Sequence, residues 1–218
     1  MERWRGARDP AGQSRTPLTG AAGPSGVTVV ELLVGLGVLS ILAGMLASFL
    51  HVTVVAARVL AARIDAQETA SMTVDIVGRE LRMAGFNAGG PPIAAVRDAA
   101  ADRVEIAADF NGDGDVDDMN ETVAYGHNGD RSQLMRATGG GSPQPWLRDV
   151  PAGSFRVTYR DVDGRLVPAG TSLSAEQRQL IRRIDVELAV EVPHPAGPAW
   201  PPLRVAAASS VHLRNGGR

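Results

Sequence analysis

The sequence contains no cysteine, which excludes disulfide bonds, cysteine-ligated zinc and thiol catalysis. Lysine is also absent, so all 22 basic residues are arginines, and 24 acidic residues nearly balance them. The resulting formal net charge of −2 argues against the basic face that nucleic-acid binding requires. We therefore expect no direct nucleic-acid partner.

A catalytic constellation is missing as well. No GxSxG nucleophile motif and no phosphate-binding loop occur in the chain. The four histidines are far apart in the sequence and have no metal-binding spacing: His51, His127, His194 and His212. The sequence therefore predicts a protein that is not an enzyme, and its 218 residues suffice for one modest domain with additional elements.

Residues 32–57 form a long run without any charged side chain. The core of this run, Leu32 to Leu50, would be about 28 Å long as a helix at 1.5 Å per residue. This length matches the roughly 30 Å hydrocarbon core of a bilayer, and glycines such as Gly35, Gly37 and Gly44 are common in membrane helices. A transmembrane helix over residues 27–55 is favoured over the alternative, a buried helix of a soluble protein.

Charges before this run predict its orientation. Residues 1–26 contain four arginines against only Glu2 and Asp9, so the positive-inside rule places the N-terminus in the cytoplasm. An ordinary secretory signal has a shorter apolar region followed by a small-residue cleavage site. We therefore expect a single-pass inner-membrane protein whose C-terminal part lies in the periplasm.

The junction before the apolar run carries a motif, GVTVVELLV, at residues 26–34. It resembles the type IV prepilin signal, in which a glycine precedes a mostly apolar stretch, a glutamate and a long apolar helix. The resemblance implies that residues 1–26 are a leader, that prepilin peptidase cuts between Gly26 and Val27, and that the new N-terminus is methylated. Val27 stands where the family usually has Phe or Met.

Glu31 is costly at the edge of an apolar helix unless it is paired. After cleavage, the new ammonium group of Val27 would lie one helical turn earlier, and a neighbouring subunit could supply its own instead. Pairing between subunits would fix the axial register of a filament. The alternative is a glutamate at the membrane surface that reaches the lipid headgroups.

Residues 56–86 are expected to continue the helix as an amphipathic segment that packs on a sheet. Glycines and prolines from Gly85 onwards predict its end. The segment Gly78–Gly90 resembles the end of this helix in PilW-type minor pilins. The apolar stripe consists of Leu60, Ile64, Met72, Val74, Ile76, Val77 and Leu81.

Residues 87–218 are expected to form a β-rich head. Alternating residues predict strands at 104–106, 155–159, 184–190 and 211–214, the last within a VHLRN segment that again resembles PilW-type proteins. A capping box from Ser174 to Gln177 predicts a short helix that ends near Arg182. The fold class is therefore α+β, with a long N-terminal helix packed on an antiparallel, pilin-like sheet.

An acidic loop at residues 109–121 is a candidate calcium site. Asp109, Asn111 and Asp113 occupy the first three ligand positions of an EF-hand-type loop, and Gly114 occupies its turn position. The next candidate ligands are the Asp115 backbone carbonyl and Asp117. Position 12 is occupied by Asn120 and not by the acidic residue of strong sites, so Asp118 or Glu121 is expected to substitute for it. The alternative is an acidic turn that needs no ion.

These expectations favour a minor pilin that takes part in type IV pilus assembly, with roles in priming, adhesion, motility or DNA uptake. The resemblance implies three partners: prepilin peptidase, the inner membrane, and other pilins or pseudopilins. The protein would move from the inner membrane to the pilus and cell surface. Alternatives are a minor pseudopilin of a type II secretion system, a single-pass inner-membrane protein with a calcium-binding periplasmic domain, and a secreted calcium-binding module. The same sequence features fit a minor pilin of a type IV pilus and a minor pseudopilin of a type II secretion system equally well.

Overall fold

The computed structural model describes residues 26–90 and 93–215, and the chain divides into two compact units. The first unit ends at Leu50 and the second begins at His51. The predicted leader lies outside the described residues except for Gly26. All residues that form the hydrophobic core belong to the second unit, from Ala66 to Leu213.

A single helix, α1, runs over Val29–Met83. Its buried face consists of Ala66, Ala70, Thr73, Val74, Val77, Gly78 and Leu81. The predicted stripe is thus partly wrong, because Leu60, Ile64, Met72 and Ile76 are exposed. The small residues explain the difference. A Cβ atom on Gly78 would lie 3.0 Å from the Ser209 hydroxyl, so the helix approaches the sheet too closely for large side chains there.

Within the described residues, nine strands form two antiparallel sheets, whereas a single sheet was predicted from the sequence. The five-stranded sheet follows chain order: β1 Val96–Ala100, β2 Arg103–Ala107, β3 Thr122–Asn128, β4 Gln133–Thr138 and β5 Gln144–Leu147. The four-stranded sheet has the order β7-β6-β8-β9, in which β6 is Phe155–Arg160, β7 Leu166–Val167, β8 Arg183–Val192 and β9 Leu203–His212. The α+β class with a long N-terminal helix is confirmed.

A short helix, α2, covers Ala175–Gln179 and leads into β8. The predicted capping box is present, because the Ser174 hydroxyl accepts from the backbone of Gln177 and the Gln177 side chain accepts from the backbone of Ser174. The helix ends earlier than predicted, since Leu180 and Ile181 already close tighter turns before the strand begins.

Two tyrosines connect the layers of the second unit. The buried Tyr159 of β6 shares its hydroxyl proton between the carbonyls of Ala100 (3.0 Å) and Arg103 (2.7 Å), which links the two sheets. Tyr125 of β3 donates to Glu80 of α1. Arg136 of β4 completes this second link, because its guanidinium binds the same carboxylate at 2.8 Å. Burial raises the pKa of both phenols, so each remains a hydrogen-bond donor at neutral pH.

Candidate functional site

The first candidate site is the start of α1. Gly26 and Val27 precede the helix and are exposed, and a Cβ atom on Gly26 would meet nothing within 4 Å. Thr28 and Glu31 form a capping box. The Thr28 hydroxyl accepts from the Glu31 N–H (3.2 Å), and Glu31 Oε2 accepts from the Thr28 N–H (2.9 Å) and hydroxyl (3.0 Å).

The sequence analysis missed this capping box, although the T-x-x-E spacing is its standard signature. Both bonds from Thr28 reach Oε2, so the box occupies one of the two oxygens of the Glu31 carboxylate. Glu31 therefore has a local structural role at the start of α1, in addition to the predicted pairing in a filament. The two roles can be separated by experiment because glutamine also satisfies a capping box.

After this carboxylate, α1 presents an apolar surface on every side. From Val29 to Val54, each large apolar residue is at least 48% exposed. The most apolar 18-residue window has a mean hydropathy of 2.3, and none of it is buried within the described residues. By length and composition, this part of α1 is able to cross a membrane. A contiguous apolar surface of this size calls for lipid or protein to cover it.

The second candidate site is the acidic loop between β2 and β3. Asp109 at its start is fully buried, and its carboxylate accepts from the backbone N–H groups of Gly112 (2.6 Å) and Gly114 (3.1 Å). These bonds hold the loop in a tight turn around Asp109. The predicted first ligand is therefore engaged by the loop's own backbone.

The exposed part of the loop is a series of short turns, each closed by a hydrogen bond between a side chain and the backbone. Asp113, Asp115 and Asp117 each donate a backbone N–H to the side-chain oxygen two residues earlier, at 2.9–3.1 Å. The amide of Asn111 donates to Asp113 and Asp118, both at 2.8 Å. The backbone N–H of Asp115 and the Asn111 amide lower the pKa of Asp113, so this carboxyl stays ionised at neutral pH.

Glu121, the residue immediately before β3, closes the loop. It is only 3% exposed, and its Oε1 accepts from the N–H groups of Phe110 (2.9 Å) and Asn111 (3.4 Å). Its Oε2 is buried and has no hydrogen-bond partner among the residues that the structure describes. One oxygen each from Asp113, Asp115 and Glu121 lies within 4.8 Å of the others.

The structure thus brings together three of the predicted ligands. The Asp115 oxygen in this cluster belongs to its carboxylate, whereas the predicted ligand was its backbone carbonyl. Glu121, predicted only as a substitute ligand, contributes the buried carboxylate of the cluster. Asp109, Asn111 and Asp118 are held in hydrogen bonds within the loop.

Comparisons with known proteins show a likeness at the level of structure. No protein-family model matches the sequence, and no curated protein matches it. Among solved structures, the chain is similar to a type IV-like pilin from Thermus thermophilus. The two share 14% sequence identity with a TM-score of 0.43, over 73% of this chain and 99% of that one.

The acidic loop is connected to the end of α1. The Gly85 N–H donates to the Ala107 carbonyl (2.8 Å), just before the loop begins. Asp109 then exchanges two backbone bonds with this segment: it donates to Phe86 (2.8 Å) and accepts from Ala88 (3.2 Å). The rings of Phe86 and Phe110 lie 5.8 Å apart above these bonds. The conformation of the loop is therefore coupled to the segment that follows the helix.

Proposed function

We propose that this chain is a pilin-like filament subunit: a minor pilin of a type IV pilus, synthesised as a precursor and held in the inner membrane by its N-terminal helix. The observation that carries the proposal is the single carboxylate of Glu31 in the first turn of a helix whose apolar residues are exposed up to Val54. A surface of this kind suits a helix that leaves lipid and enters the apolar centre of a filament. There, other pilin helices would replace the lipid.

The geometry of the helix start supports processing by prepilin peptidase. Gly26 and Val27 are exposed and precede the helix, so the peptide bond between them is open to a protease. Cleavage would create an ammonium group at Val27, followed by methylation. The Thr28 bonds engage Oε2 of Glu31, so the other oxygen of the carboxylate is the acceptor that a terminal ammonium would use.

A minor pseudopilin of a type II secretion system would use the same helix, peptidase and filament contacts. The genes that surround this one would separate the two assignments. A single-pass inner-membrane protein with a calcium-binding periplasmic domain differs from both, because it predicts that the precursor is not cut after Gly26.

Processing is tested by the intact mass of the protein produced together with prepilin peptidase. We expect the wild type to lose residues 1–26 and to gain one methyl group. Gly26→Arg should keep the leader, because a bulky charged residue does not fit the position that a glycine occupies at the cut. The matched control is Gly170→Arg, which places the same residue at an exposed glycine with open space around it.

The control should mature like the wild type. A wild type that keeps its full mass, or a Gly26→Arg variant that matures normally, would overturn the proposal.

A further inference from the structure

We propose that the acidic loop binds one calcium ion between the carboxylates of Asp113, Asp115 and Glu121, and that the ion fixes the loop against the segment that follows helix α1. The observation that leads to this site is Glu121. Its side chain is 97% buried, and its Oε2 has neither accessible surface nor a hydrogen-bond partner within residues 26–90 and 93–215. Both oxygens belong to one carboxyl group, so Oε2 lies at the three-carboxylate cluster or directly beside it.

A buried carboxylate oxygen without a partner is rare in folded proteins because it loses the hydrogen bonds that water would provide. Two further carboxylates beside Glu121 add repulsion between like charges. Arg136 lines the same groove as Glu121, but its guanidinium is already bound to Glu80. A bound cation satisfies the free oxygen and removes the repulsion at the same time.

The ligand set selects the kind of cation. Carboxylate oxygens are hard ligands, which favour calcium or magnesium over softer transition metals. Calcium binds oxygens at about 2.3–2.6 Å in irregular geometry, so ligands on opposite sides of the ion are up to about 5 Å apart. The three oxygens lie within 4.8 Å of one another, a separation compatible with ligands of one such ion. Magnesium requires a nearly ideal octahedron and shorter bonds, so we expect it to bind more weakly.

This site differs from an EF-hand-type loop in how it uses its residues. Asp109 would be the first ligand in that pattern. Here its carboxylate accepts hydrogen bonds from the N–H groups of Gly112 and Gly114. The Asn111 amide holds Asp113 and Asp118 in place. Asp113 and Asp115 also accept hydrogen bonds within the loop, but unlike the fully buried Asp109 they are exposed and cluster with Glu121. These three carboxylates therefore bind the ion, and the other residues shape the loop.

The backbone of the loop transmits the effect of the ion. The Glu121 carboxylate accepts hydrogen bonds from the backbone N–H groups of Phe110 and Asn111. Asp109, the residue before Phe110, forms backbone hydrogen bonds with Phe86 and Ala88, which follow the end of α1. An ion that holds Glu121 therefore also restrains residues 85–88. This inference concerns the second unit alone, so it stands or falls independently of the processing after Gly26.

The test uses the full-length protein in detergent, with calcium chloride, magnesium chloride or a chelator. We expect calcium at a tenfold excess over its Kd to raise the Tm by about 3–6 °C, and an equal concentration of magnesium to have a smaller effect. Calcium should also slow amide hydrogen exchange at residues 85–88 and 108–121. A purely structural loop would not show this calcium-dependent protection.

Two variants remove ligands in different ways. Glu121→Gln preserves the shape of the buried side chain and its acceptor for Phe110 and Asn111, but removes the charge. Asp113→Asn combined with Asp115→Asn changes only exposed side chains, so it remains informative even if the buried variant does not fold. The matched control is Asp163→Asn, an exposed aspartate outside the loop that is paired with Arg165.

Both ligand variants should lose the calcium-dependent shift and protection, and the control should keep them. No effect of calcium on the wild type would overturn the proposal. So would a shift that persists in the Asp113→Asn/Asp115→Asn variant.

Discussion

At the scale of single residues, Glu31 shows how one side chain can serve two states of a protein. In the precursor its Oε2 closes the capping box with Thr28, which satisfies an N–H group that the helix leaves without a partner. In a filament the same carboxylate is proposed to pair with a terminal ammonium group. The first role needs only an oxygen acceptor, whereas the second needs a negative charge.

Two substitutions separate these roles. Glu31→Gln keeps the acceptor of the capping box but has no charge, so we expect normal cleavage and roughly tenfold less protein in sheared filaments, equivalent to about 1.4 kcal/mol per contact. Thr28→Val keeps the charge and breaks the box, which costs about 1 kcal/mol at the helix start. Its incorporation should stay close to that of the wild type. Immunoblots of sheared filaments measure both, and the opposite ranking would assign Glu31 to capping alone.

At the scale of elements, the end of α1 depends on Gly85. This residue has φ +72°, and a Cβ atom there would lie 2.9 Å from both the Ala95 Cβ and the Asn215 carbonyl oxygen. Its N–H also donates to Ala107 at 2.8 Å. The chain can therefore leave the helix and meet the five-stranded sheet only with a residue that has no side chain.

We expect Gly85→Ala to destabilise the protein by about 2–4 kcal/mol, from left-handed backbone strain and from displacement of neighbouring atoms. Gly153→Ala is the matched control, because Gly153 has nearly the same φ, +73°, with nothing within 4 Å of a Cβ atom. The control should cost only the strain, about 1 kcal/mol. Thermal unfolding in detergent measures both, and equal losses would show that the packing around Gly85 contributes nothing.

A strand could be predicted from the sequence where large apolar and polar side chains alternate, and not where small side chains dominate. Strand β8 alternates large apolar and polar residues from Ile184 onwards, so its pattern was recognisable. Its neighbour β9 has the sequence LRVAAASSVH, in which alanine and serine occupy much of the strand, and only its last residues gave a signal. Ser209 of this strand lies against the helix at Gly78, and this contact is set by tertiary packing.

The candidate site shows the same limit. Residue types alone identified the acidic loop and the three residues whose carboxylates lie together there. The arrangement could not be read from spacing, because Glu121 reaches the loop only when β3 pairs with β2, where Thr122 lies opposite Ala107. The burial of Asp109 was equally unpredictable from spacing, because it depends on the N–H groups of Gly112 and Gly114 that donate to its carboxylate.

At the scale of the whole molecule, the two units face different solvents in the proposed function. The first carries exposed apolar residues throughout the described part of its helix, and the second has a core of its own. In this proposal, the charge asymmetry in the sequence predicts which side of the membrane each end occupies. The arginines of residues 1–26 predict a cytoplasmic N-terminus, and the β-rich unit would follow the helix into the periplasm.

The absence of cysteine makes this topology directly measurable, because any introduced cysteine is the only thiol in the chain. Ser142→Cys places a thiol at an exposed position after β4, and Ser14→Cys places one in the predicted leader. In spheroplasts without prepilin peptidase, a membrane-impermeant maleimide should label the Ser142→Cys variant at once. It should label the Ser14→Cys variant only after the membrane is permeabilised, because the arginine-rich end stays in the cytoplasm. The reverse pattern would place the β-rich unit in the cytoplasm, where no pilus or secretion filament could incorporate it.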